Sequence, residues 1–364
     1  MPEYLAKSPL RILTVLGARP QFIKAAPVRK CLLEAGHHEF LVHTGQHYDH
    51  NMSKIFFEEM EIRPSDVNLE VGSATHGKQT AEMLIRLEEI MQERHYDCVL
   101  VYGDTNSTLA GALAACKLRR PIAHIEAGLR SYNRAMPEEH NRVITDHCAD
   151  FLFCPTSTAV NNLLREGITE NVFLVGDTMF DAVQQFRKIA EKRSSILSDL
   201  NLRPKTYLLA TIHRPGNTDE LGNLRNILDA LFGIGETVVF PVHPRTREKI
   251  KELNFSPNSN IKMIEPVGYL DLLALQENAK MVVTDSGGMQ KEAYFLGVPC
   301  VTLRSETEWI ETVEAGWNRL VGSDPDKILS AVRKNDWPSN ASPTLFGDGH
   351  AAQKIVSTLT EILS

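Results

Sequence analysis

No two of the six cysteines form a CxxC pair. Cys31, Cys98, Cys116, Cys148, Cys154 and Cys300 are scattered, mostly among apolar neighbours, which argues against a disulfide framework and suits thiols in a reducing cytoplasm. No run of 18 apolar residues is present, so no membrane span is expected. Basic residues are in deficit: 39 Lys and Arg against 46 Asp and Glu give a net charge of −7, which argues against a dedicated nucleic-acid binder. The opening MPEYLAKSPLRILTVLG lacks a signal-peptide layout, because Glu3 and Lys7 precede a short apolar run that reads as a strand. There is no internal repeat, no low-complexity tract and no GxGxxG dinucleotide fingerprint. His43, His47 and His50 have metal-like spacing, but they cross a strand end and a Gly-containing loop without a Cys partner. A polar loop or structural histidines fit better, and neither metal nor cofactor is expected.

What is present is a long chain of ordinary globular composition. Its 364 residues, 43% hydrophobic and 23% charged, predict two domains. Buried-strand patterns at 11–15, 40–43, 98–102, 122–125, 151–154 and 172–175 alternate with helical patterns at 21–35, 79–94, 137–148 and 159–165. That alternation predicts a parallel sheet covered on both faces. The charged helical stretch 177–205 carries the domain junction, and the pattern restarts at Tyr207. The expected division is a first domain over 1–185, a second over 186–349, and a last helix, 350–364, that returns to the first.

Chemistry concentrates at strand ends. HIEAGLR (124–130) places Glu126 at the carboxyl end of a buried strand, and PEEHNR (137–142) places Glu138 in the first turn of the next helix. In open α/β sheets ligands bind along that edge. First helical turns favour Pro and carboxylates, so Glu139 also reads as an ordinary helix-terminus residue. Asp104, just past the strand CVLVY, reads as a functional carboxylate or as the cap of the helix that follows. The turn LGARP (16–20) leads into a helix, where Arg19 and Lys24 suit a diphosphate. In the second half, His213 and Arg214 follow one strand, while His243, Arg245 and Arg247 follow another; together they read as an anion-binding rim. Ser286, Gly287 and Gly288 open a helix whose N–H groups can face a phosphate, and Glu292 on the same side can accept from ribose hydroxyls.

GARPQFIKAAP, GDTNSTLAGALAA, HIEAGLRS, MPEEHNR, Ile-His-Arg at 212–214, VHPRTR and TDSGGMQKEA occur in that order over about 280 residues. The chain thereby resembles the non-hydrolysing UDP-N-acetylglucosamine 2-epimerase family. The resemblance implies a glycosyltransferase-B-like α/β fold of two Rossmann-like domains, an active site in the cleft between them, and a homodimer. It implies acid–base roles for Asp104, Glu126, Glu138 and His213, and substrate contacts from Arg19, Lys24, Arg142, Ser286, Gly287, Gly288 and Glu292.

The implied reaction inverts C2 of a UDP-2-acetamido sugar, UDP-N-acetylglucosamine to UDP-N-acetylmannosamine, for surface-polysaccharide precursors. C2–H is not next to a carbonyl, so UDP must leave first. The oxocarbenium-like centre at C1 then acidifies C2–H, and a 2-acetamidoglycal and UDP are held until re-addition. Inversion needs the proton returned on the opposite face, hence carboxylates on both sides. GARPQ where GTRPE is common, HTGQHYDHNMS (43–53), and TEWIE (307–311) with Trp309 where an Arg is expected, are more like the branch acting on UDP-2,3-diacetamido-2,3-dideoxyglucuronate. The loop expected to bind an activating nucleotide sugar differs at Asp49 and around His76 and Gly77. The diacetamido substrate, a hydrolysing 2-epimerase and a glycosyltransferase stay open as alternatives.

Overall fold

The computed structural model describes residues 8–46, 63–256, 259–334, 336–338 and 343–364; His47, Asp49 and His50 lie outside them. The chain divides into two units, Met1–Gln184 with Thr344–Ser364, and Gln185–Pro343. In the first, β1 (Arg11–Leu16), α1 (Arg19–Glu34), β2 (His38–His43), β3 (Val67–Asn68), α2 (His76–Glu93), β4 (Cys98–Tyr102) and α3 (Asn106–Lys117) lead to β5 (Ile122–Ile125). Then follow α4 (Pro137–Cys148), β6 (Phe151–Cys154), α5 (Ser157–Arg165), β7 (Val172–Leu174) and α6 (Thr178–Arg193), which runs across the boundary. The strands form a parallel sheet of order β3-β2-β1-β4-β5-β6-β7. Central strands such as CVLVY are buried on both faces, as a helix-covered parallel sheet requires. α3 lies close on this sheet because its residues are small: a Cβ on Gly111 would meet Val101 at 3.1 Å and Val15 at 3.3 Å.

The second unit holds α7 (Ile196–Asp199), β8 (Tyr207–Thr211), α8 (Pro215–Thr218), α9 (Leu221–Gly233), β9 (Thr237–Pro241), α10 (Pro244–Glu252) and β10 (Ile261–Ile264). It continues with α11 (Tyr269–Asn278), β11 (Met281–Thr284), α12 (Gly287–Phe295), β12 (Cys300–Thr302), α13 (Ile310–Glu314), β13 (Asn318–Leu320) and α14 (Pro325–Arg333). Its parallel sheet has the order β10-β9-β8-β11-β12-β13. The α/β class and the two Rossmann-like sheets read from the sequence are both present. α15 (Ala351–Leu363) packs on α1, and its Ala352, Ile355, Val356 and Leu359 are all buried. Its first N–H groups, from Ala351 and Ala352, donate to Asp181 at 3.2 and 2.8 Å.

Some local expectations need correction. α1 begins at Arg19 rather than Gln21, since a helix tolerates Pro20 in its first turn. Cys98, Cys154 and Cys300 are buried, but Cys116 is exposed near the end of α3. No helix among the described residues is long and apolar enough to cross a membrane.

Candidate active site

Both sheets reverse direction of build-up beside their first strand, between β1 and β4 and between β8 and β11. Such a switch point opens a crevice at the strands' carboxyl ends. In the first unit the segments after β1, β4 and β5 are Gly17–Ala18, Gly103–Thr105 and Glu126. Gln21 ties the first two together: its Oε1 accepts from Gly17 and Ala18 N–H (2.8 and 3.0 Å), and its Nε2 donates to the Tyr102 carbonyl at 2.7 Å. Thr105 caps α3 by accepting from Thr108 N–H, so Asp104 is not the cap and its carboxylate is left for other work.

Asp104 Oδ2 accepts from Arg142 Nη2 at 2.6 Å, and the other end of that guanidinium meets Glu139 at 2.7 Å. Glu139 also accepts from Ser131 and Tyr132 N–H at 2.9 and 2.8 Å. Burial raises the Asp104 pKa and the nearby Glu126 charge adds to this, with Arg142 and Lys24 opposing; the result stays above the usual carboxylate value. For Glu139 burial is outweighed by the Ser131 and Tyr132 N–H groups and Arg142, so it stays below. The two carboxylates in the first turn of α4 thus divide: Glu139 fixes the 131–132 loop, while half-buried Glu138 takes no such bond. Glu126 follows β5 in the left-handed region at φ 73° and forms an ion pair with Lys24. Lys24, read from sequence as a diphosphate contact, therefore sits on a carboxylate here. Arg19 is half-buried at the first position of α1. Arg142, read as a substrate contact, is 4% exposed and spans two carboxylates.

In the second unit His213 Nδ1 lies 3.2 Å from Asp285 Oδ1. Asp285 is fully buried and accepts from His213 and Arg214 N–H and from Asn217 Nδ2, at 3.0–3.1 Å. Burial alone would raise its pKa; His213, Arg214 and Asn217 reverse that and hold it below the ordinary value. The His213 ring keeps 44% of its surface exposed, so it is oriented without being enclosed. Ser286 is the N-cap of α12, and Gly287 and Gly288 are its first two residues. Glu292, one turn on, accepts from the Tyr269 hydroxyl at 3.2 Å. Trp309 is buried, with Lys291 Nζ 3.8 Å from the centre of its ring.

The anion-binding rim does not take the expected form. Arg245 donates to both oxygens of Asp219 at 2.7 Å, and Arg247 pairs with Glu265 at 2.9 Å; His243 caps α10. His43 is buried against Phe22 and its Nδ1 accepts from Gly45 N–H at 2.7 Å, which makes it structural. His76 accepts from Asn106 at 3.1 Å. No cluster of three His, Cys, Asp or Glu able to hold a metal occurs among the described residues. Sequence reasoning missed Gln21 and Asp285. Asp285, set between strand MVVT and SGG, carried a signal in its position; Gln21 carried none.

The model of the family described as UDP-N-acetylglucosamine 2-epimerase matches residues 31–360. A Methanococcus maripaludis protein named UDP-N-acetylglucosamine 2-epimerase homolog is 52% identical, covering 97% of this chain and 100% of that one. The Pseudomonas aeruginosa UDP-2,3-diacetamido-2,3-dideoxy-D-glucuronate 2-epimerase is 45% identical, covering 97% and 100%. Among solved structures, Methanocaldococcus jannaschii UDP-GlcNAc 2-epimerase in complex with UDP-GlcNAc and UDP superposes with a TM-score of 0.85 at 46% identity, covering 96% of this chain and 99% of that one. A match of this extent, on a fold whose strand ends carry the Asp104, Glu126 and His213 motifs, means that the chain belongs to the UDP-N-acetylglucosamine 2-epimerase family.

Proposed function

We propose that the protein is a non-hydrolysing isomerase that inverts C2 of a UDP-2-acetamido sugar, UDP-N-acetylglucosamine to UDP-N-acetylmannosamine. The observation that carries the reading is the charge arrangement at the ends of β4 and β5. Asp104, kept above its ordinary pKa, and Glu126, neutralised by Lys24, are two carboxylates in different electrostatic settings. Groups so separated suit opposite halves of a proton transfer. Glu138, on the helix that holds Asp104 through Arg142, is the third candidate.

The second unit supplies the nucleotide contacts: the α12 N-terminus at Ser286, Gly287 and Gly288 for the diphosphate, and Glu292 for the ribose. His213, steadied by Asp285, would meet negative charge growing on departing UDP, together with Arg19. As UDP leaves C1 with the bonding pair, C2–H loses its proton to a carboxylate; the glycal is then reprotonated on the other face and UDP re-adds at C1. A homodimer working in the cytoplasm belongs to the same proposal.

The diacetamidoglucuronate substrate is the second reading. It is favoured by GARPQ and TEWIE in the sequence and by the identity to the P. aeruginosa enzyme. Turnover in deuterated buffer with the two substrates in parallel decides. Deuterium at C2 with UDP-N-acetylmannosamine formed supports the first. Exchange in the second substrate alone moves the chemistry to the acidic sugar, and exchange in neither refutes the proposal.

A further inference from the structure

His124 is the third of the four residues of β5, and its ring is fully buried. Its Nε2 lies 2.8 Å from the Gly103 carbonyl oxygen and its Nδ1 2.6 Å from Asp146 Oδ1. A carbonyl only accepts, so Nε2 carries a hydrogen. Asp146 Oδ2 already accepts from Gly128 N–H at 3.1 Å and Arg130 Nη1 at 2.7 Å. Burial would raise the Asp146 pKa, but His124 and Arg130 reverse this and keep it below the ordinary value. An ionised Asp146 accepts at Oδ1 as well, so both ring nitrogens donate.

Gly103 is where this buried set reaches the reacting groups. Its N–H donates to Ile125 O at 3.0 Å, and a Cβ on it would meet Glu126 Oε2 at 3.1 Å. The next residue, Asp104, has its carbonyl held by Asn141 Nδ2 at 2.9 Å and its carboxylate by Arg142 at 2.6 Å. The chain from 103 to 104 is therefore fixed at three successive acceptors: the first by His124, the others by α4, the helix that also carries Asp146. Behind them Arg130 grips Glu166 through two bonds of 2.7 Å. Burying so many charges costs desolvation that an apolar cluster would avoid. What the polar set adds is a directed donor at the Gly103 carbonyl.

We infer that His124, backed by Asp146, is a positioning residue that holds the Gly103–Asp104 peptide in place for proton transfer by Asp104. The inference rests on the function proposed above. Histidine ¹⁵N spectra of the wild-type protein come first. One ring with both nitrogens protonated and hydrogens slow to exchange is expected; a bare nitrogen on the buried ring refutes the donor assignment. Turnover of H124Q and H124N in deuterated buffer follows. Gln brings an N–H to the place of Nε2 and keeps the bond to Gly103, whereas Asn reaches only the place of Nδ1. We expect kcat and C2 exchange within about tenfold of wild type for H124Q and about 100-fold down for H124N, the scale of a misplaced reacting group. KM and UDP affinity should hold in both. Equal turnover in the two variants, or an effect on KM or UDP affinity alone, overturns the positioning role. Absence of C2 exchange in the wild type overturns the functional reading instead, while the spectra still judge the ring.

Discussion

Arg142 holds two carboxylates at once, from Asp104 and Glu139, in a site where it is itself buried. A planar guanidinium bridges both; an ammonium is a single point charge. Arg142→Met leaves Glu139 buried beside lost charge and should cost about 3 kcal/mol in urea denaturation, the lower part of the range for broken buried pairs because Asp104 keeps solvent contact. Arg142→Lys should fold yet lose most of kcat. A loss below about 1 kcal/mol for the Met variant would mean that water replaces the guanidinium. His43 makes a separate, pH-dependent prediction. Burial lowers its pKa from 6.5 to about 4, so between those values the unfolded chain binds a proton that the folded chain refuses. Stability therefore falls as pH drops through that window, by up to about 3 kcal/mol. His43→Asn, whose Oδ1 can accept from Gly45 N–H, should flatten the fall between pH 6.5 and 4; an unchanged slope would assign it to other groups. At this scale residue types were legible and partners were not. Lys24 and Arg142 read as cations beside a ligand, but the carboxylates they meet, Glu126 and Asp104, lie far along the chain, and no local pattern links them.

The elements were the most legible part, because their signals are local. CVLVY, FLFC and MVVT are short continuous apolar runs bounded by turn residues, and each is a strand with the expected limits. PEEHNRVITDHC starts at a Pro and carries Glu138, Arg142 and Asp146 four residues apart, hence on one helical face. That spacing was readable; that Arg142 would meet Asp104 after β4, and Asp146 the His124 ring of β5, was not, because it depends on which strands lie beneath. The turn after β1 shows the same limit. Gly17 reads as a turn residue, but the reason for glycine is tertiary: Ser107 Oγ and Thr44 Oγ1 occupy the place a Cβ would take. Both belong to a hydrogen-bonded pair at 2.7 Å that joins the ends of β2 and α3. Gly17→Ala should push this pair apart and shift Gln21 and the Tyr102–Thr105 segment with it. The expected result is a loss of about 1–3 kcal/mol, the scale of overpacking, with a larger proportional loss in kcat than in UDP affinity. Unchanged turnover would mean that the turn relaxes without moving Asp104.

Each unit has a core of its own. That of the first includes Leu13, Val15, Val42, Val99 and Val101, and that of the second Leu208, Ala210, Val238, Val283 and Val301. Repeated strand–helix alternation made two such sheets legible, since the same strand order is what right-handed crossovers build twice over. The last helix belongs to the first unit although 150 residues of the second, 194–343, separate it from α6. Its apolar stripe, Ala352, Ile355, Val356 and Leu359, says only that it covers something. Asp181 and His37, which meet Ala352 N–H and Thr360, specify what. Leu359 is fully buried, so Leu359→Ala should cost about 2–5 kcal/mol. The cost should fall on one unit. In hydrogen exchange, the amides of α1, β1 and α15 should lose protection, while those of β8 and β11 keep theirs. Because Asp104 and Glu126 stand on the affected sheet and Ser286 and Glu292 on the other, turnover should fall at temperatures where UDP still binds. Equal loss of protection in β8 and β11 would instead mean that the two cores unfold as one.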